Sequence, residues 1–181
     1  MADFARFLPL SQRPRVDESS VTSDRRAQVA EVVDQVAAVA ARTDAPGTRI
    51  ARFIDEAGLR PSDPAPAPTP AGLHAFAAEL RDGGRQPIRS LARTVRAALA
   101  FGRESDTTVE LSELVSGSVA LYAATSAPHD RRAVIAHHTL RASDAEWAFG
   151  HGPVLTAPAV AILEFLLGLS DDPPKPAPAA S

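Results

Sequence analysis

A chain of 181 residues with a formal net charge of −3 can bury one sizeable core or two small ones, and it lacks the basic balance of a nucleic-acid footprint. It contains no cysteine, which excludes disulfides, thiolate metal sites and a cysteine nucleophile. Hydrophobic residues make up 45% of the chain but aromatics only 5%, so alanine carries much of the apolar content and close helix packing is expected.

Residues 1–22 hold Pro9, Pro14 and a small apolar cluster (Phe4, Phe7, Leu8, Leu10) without a sustained period, and read as a weakly docked arm. Arg6 and Pro9 interrupt any signal-peptide layout, and no apolar run reaches the roughly 18 residues of a membrane span. A cytoplasmic protein is the expectation.

A first helix is predicted from a Ser23 or Asp24 cap to about Arg42, with Val29, Val32, Val33, Val36, Val39 and Ala40 on one stripe. Ala45-Pro46-Gly47 breaks it. Thr48 is the expected cap of a short second helix that turns Ile50, Phe53, Ile54 and Ala57 inward and stops at Gly58. Pro61–Pro70 reads as an extended proline-alanine linker, either a domain boundary or a strap within one domain. Thr69-Pro70 then opens a third helix, closed by Gly83-Gly84. Pro87 starts a fourth, which Gly102 is expected to end.

Beyond Gly102 the pattern changes. Thr107–Leu111 and Ser118–Ala124 alternate like strands, although Leu111, Leu114, Val115 and Val119 also fit a helical period. Ala133–Ala142 reads as a strand, Ser143-Asp144 as a turn, and Glu146–Thr156 as a second extended stretch interrupted by Gly150-His151-Gly152-Pro153. Pro158 suits the first turn of a last helix, with Thr156 near enough to cap it and Gly168 and Pro173-Pro174 ending it. That helix should cover the hairpin. Asp171–Ser181 reads as a disordered tail. The predicted fold is therefore α+β: a helical region over 23–102, then a small sheet-plus-helix module over 103–170.

The run LRASDAEWAFGHGP followed by TAPAVAILEFLLG carries one resemblance. Its Ser-Asp-x-x-Trp turn, Gly-x-Gly-Pro loop and Ala-Pro-Ala helix start are similar to the C-terminal segment of the mycothiol-dependent maleylpyruvate isomerase family of actinobacteria, over roughly Ile135 to Leu169. The resemblance implies a small sterol-carrier-like α+β module for this part. The family's N-terminal domain supplies metal-binding histidines and a Pro-Gly-Trp signature, and this chain carries neither.

Three groups of residues are candidates for chemistry. His137, His138 and His151 could gather a divalent metal at the hairpin mouth, but neighbouring strand residues face opposite sides and no His-Glu-x-x-His pattern occurs. Trp147, Phe149, Phe165 and Leu166 would line a sterol-carrier-like cavity if one is kept, and would otherwise be core. Arg89, Arg93 and Arg96 form a basic helix face able to hold an anion or an acidic partner, or else a solvated face. Ser116-Gly117-Ser118 lacks the nucleophile elbow, and Gly150-His151-Gly152 lacks the spacing and lysine of a phosphate loop.

The expected function is a non-catalytic accessory protein that binds a small apolar molecule or a protein partner, with no cofactor. Nucleic acid and membrane are not expected as partners. One alternative is an enzyme like the resembled family, with a histidine metal site and mycothiol. Another is a regulator that applies the arginine helix to an acidic partner or DNA.

Overall fold

In a computed structural model, residues 24–60 and 67–177 are described. The expected arm over 1–22, and part of the proline-alanine linker, lie outside them. The architecture is α+β: seven helices and a four-stranded mixed sheet near the C-terminal end of the described residues.

Helix α1 (Arg26–Arg42) buries Val29, Val32, Val33, Val36, Val39 and Ala40, the stripe its period predicts. The Asp24 carboxylate accepts hydrogen bonds from the backbone N–H of Arg26 (3.1 Å) and of Gln86 (3.0 Å). The Gln86 N–H, the largest influence on this carboxyl, holds its pKa below the usual carboxylate range. Helix α2 (Gly47–Ala57) is preceded by Pro46 and has no side-chain cap, so Thr48 does not play the expected role; Gly58, at φ +63°, ends the helix as predicted. Helix α3 (Pro70–Asp82) starts with Thr69 Oγ1 accepting from Gly72 N at 3.1 Å and with proline at its first position.

Helix α4 (Ile88–Glu104) runs past Gly102. That glycine is buried, and a Cβ there would press on Thr107 O and Val109. It lets the following loop lie on the helix and does not terminate it. Helix α5 (Glu113–Ser126) replaces the strand reading of 118–124. The Ser112 hydroxyl caps it, and Val115, Val119, Ala120 and Ala123 are buried. Leu114 is not among the inward residues; it stands 60% exposed.

One continuous buried cluster runs through these five helices, from Val29 to Val119 and Ala120, and reaches Leu163. A smaller one joins Ala123, Leu140, Leu155, Ile162, Phe165 and Leu166 beneath the sheet. No buried side-chain nitrogen or oxygen among the described residues lacks a partner. Among the same residues, no helix is long and apolar enough to cross a membrane.

The expected strand over Ala133–Ala142 divides in two. Helix α6 (His129–Ile135) takes its first part, entered from Pro128 with Asp130 in the first turn, and strand β1 (Thr139–Ala142) takes the last. The β-branched Val134 and Ile135 favour a strand locally, but the proline and acidic start set the helix. Strand β2 (Ala148–Gly150) pairs antiparallel with β1, and β3 (Val154–Ala157) pairs parallel on its other side. The register aligns Leu140 with both Phe149 and Leu155, placing three apolar side chains on one face.

Helix α7 (Ala159–Leu166) closes over that face. Its cap is not Thr156. Asp144, from the β1–β2 turn, accepts from Ala159 N at 2.7 Å and ties the hairpin to the helix start. Asp144→Ala should therefore cost about 1 kcal/mol by chemical denaturation, whereas Thr156→Val should leave stability nearly unchanged.

The predicted disordered tail is ordered through Ala177. Strand β4 (Lys175–Pro176) pairs antiparallel with β3, and Ala177 N donates to Val154 O at 2.9 Å. Proline is tolerated there because β4 is an edge strand.

Candidate functional site

Strands β2 and β3 flank the same strand, so the loop His151–Pro153 must cross the start of β1. The crossing is tight. Thr139 N donates to Pro153 O at 2.9 Å, and the Thr139 hydroxyl donates to Gly152 O at 3.2 Å. Gly150 and Gly152 have φ of +97° and +105°, and a Cβ on either would overlap the carbonyl oxygen of His138 or His137. The Gly-x-Gly-Pro loop is thus a crossing device between strands.

On the way into β1, His137 adopts φ +63°, the left-handed region that histidine tolerates better than most residues. Its ring meets that of His151 edge to face, with centroids 6.3 Å apart. The next residue, His138, turns Nδ1 to Ala136 O at 2.8 Å.

These residues border an open cleft of about 430 Å³ between the end of α5, helix α6 and the β2 edge. Ile135, Leu140 and Phe149 form its apolar wall with Ala124 and Ala136. Thr125, Arg132, His137, His138 and His151 form its polar rim. The volume falls in the range of small-molecule sites.

The four residues predicted to line an apolar cavity separate. Phe149 reaches the cleft. Phe165 and Leu166 are 4% and 1% exposed in the cluster under the sheet. Trp147 stacks on Phe149 with ring centroids 5.8 Å apart, and its Nε1 donates to Ser116 Oγ at 3.1 Å. The indole fastens the hairpin to α5 and packs against the buried cluster that includes Ala123, Ile162 and Phe165.

The three histidines share the cleft, but among the described residues no group of three His, Cys, Asp or Glu side chains is placed to hold a metal ion. The Arg89, Arg93 and Arg96 face does not converge either. Arg89 and Arg93 are exposed and form no ion pair with another described residue, and Arg93 lies across Gly58. Arg96 Nε donates to Leu167 O at 3.2 Å. With Arg103 donating to Leu169 O, and Arg131 to Phe165 O and to Ser170 O at 2.6 Å, it supplies donors to the carbonyls at and beyond the end of α7. Asp34 pairs with Arg81 and with His74 Nδ1 at 2.7 Å, and with none of these α4 arginines.

A second cleft of about 320 Å³ lies between the end of α4, the loop after it, and Val160 and Glu164 of α7. Its rim mixes Arg103 with Asp106 and Glu164, and Arg103 is already engaged with Leu169 O. The histidine cleft is the stronger site, because its wall is apolar and its rim carries donors without carboxylates. Sequence reasoning missed Ala124, Thr125, Arg132 and Ile135, which reach it only because 118–135 folds as two helices.

No protein-family model, curated protein or solved structure matches this chain.

Proposed function

We propose that this chain is a non-catalytic, cytoplasmic accessory protein that binds a small, mainly apolar molecule in the histidine cleft. The observation that carries the reading is the open space of about 430 Å³ beside Phe149, walled by Ile135 and Leu140, at the edge of a sheet whose inward residues Leu140 and Leu155 are packed under α7. The rim supplies a few orienting donors around an apolar body, the usual division of labour in small-molecule sites. The likeness of Ile135–Leu169 to the sterol-carrier-like module of the maleylpyruvate isomerase family supports the same reading.

A neutral fluorescent probe with an apolar body, N-phenyl-1-naphthylamine, tests it. We expect saturable binding with a Kd on the order of 100 µM. Ala136→Trp, at an exposed cleft position, should abolish that binding while leaving the unfolding midpoint in place. Binding that survives this substitution, or no saturable binding of either this probe or its anionic counterpart, overturns the reading.

A further inference from the structure

The charge around the cleft is one-sided. Among the described residues, Arg132, His137, His138 and His151 line it and no aspartate or glutamate does, although acidic residues outnumber lysine and arginine in the chain as a whole, 22 to 19. Arg131, the neighbour of Arg132, is held by Ser170 O and Asp171. Arg132 is exposed and forms no ion pair with another described residue. Its guanidinium presents planar paired donors, the geometry that a carboxylate or sulfonate accepts two at a time. An imidazole also offers an N–H donor when neutral, so the rim is rich in donors.

Resting on the cleft reading above, we infer that the ligand is an amphipathic monoanion: an apolar body against Phe149 and Ile135, and a carboxylate-like head on Arg132 and the histidine rim. A cation would meet the like charge of Arg132 there and no carboxylate among the described lining residues. A neutral apolar molecule would leave the arginine without a partner at the mouth of the cleft, losing the stronger class of hydrogen bond.

Two probes with nearly the same aromatic body separate the possibilities: 8-anilinonaphthalene-1-sulfonate, which carries an anionic head, and N-phenyl-1-naphthylamine, which does not. The full chain should bind the anionic probe at least about tenfold more tightly, the ratio expected from one charge-assisted hydrogen bond. In Arg132→Gln the two affinities should converge, and in Arg132→Glu the neutral probe should bind more tightly. Trp147 fluorescence and the denaturation midpoint verify that each variant is folded. Equal binding of the two probes by the parent chain overturns the anionic head and leaves the cleft reading intact. An anionic preference unchanged in Arg132→Glu overturns it as well, by placing that binding elsewhere. Failure of both probes to bind sinks the inference together with the reading beneath it.

Discussion

Gly152→Ala is expected to destabilise the protein by about 3–5 kcal/mol, a large part of the stability of an ordinary domain. Two costs add at this position. The backbone sits at φ +105°, where an L-side chain is strained, and the new methyl would overlap His137 O as the loop crosses β1. Relief would require moving the 151–153 loop, which would pull Thr139 away from Gly152 O and Pro153 O. Two other glycines calibrate the effect. Gly168 has φ +78° with open space around it, so Gly168→Ala should cost only about 1 kcal/mol. Gly84 has neither a positive φ nor a neighbour within 4 Å, and Gly84→Ala should be neutral or stabilise by up to about 1 kcal/mol. Urea denaturation of the three variants gives the ranking directly, and a Gly152→Ala protein as stable as Gly84→Ala would show that the crossing is looser than described.

Arg131→Met should cost about 2–4 kcal/mol. The Arg131 side chain is only 14% exposed and donates to Phe165 O, to Ser170 O and to Asp171 Oδ1, while its guanidinium lies 5.1 Å from the Phe165 ring centroid. Methionine would fill the volume and leave the carbonyls past α7 without that donor. Arg131→Lys should recover part of the loss, since one ammonium cannot reproduce the planar fork. Asp171→Asn is the contrast. The Asp171 side chain is fully exposed, so its removal should barely change stability even though it forms an ion pair. If Asp171→Asn were as damaging as Arg131→Met, the ion pair and not the carbonyl contacts would be the source of the effect.

What could be read in advance follows the range of the interactions. Helices α1 and α3 were legible because their signals are local: a stripe of valines in one case, and Thr69-Pro70 followed by Gly83-Gly84 in the other. The sheet-plus-helix arrangement over the last third was legible from Trp147, the glycine loop and Pro158. Its details were not. The cap on α7 arrives from Asp144, fifteen residues earlier. The arginines at the other end of α7 come from 34 to 71 residues away, and no basic residue in the helix itself announces them. Helix α6 escaped because it is only seven residues long, ends in Val134-Ile135 and buries nothing fully. Missing α6 hid one side of the cleft. Phe149 and the three histidines could be named from the sequence, but Arg132 and Ile135 share the site only once that segment coils.

The most direct test of the cleft's role is a two-dimensional amide NMR titration of the full chain with 8-anilinonaphthalene-1-sulfonate. The expected result is saturating shifts clustered on Ala124, Thr125, residues 132–140 and residues 149–151, with little change around Asp106 and Glu164. Shifts centred on the second cleft, or scattered along α5 at Leu114 and Leu121 without saturation, would contradict a binding role for the histidine cleft.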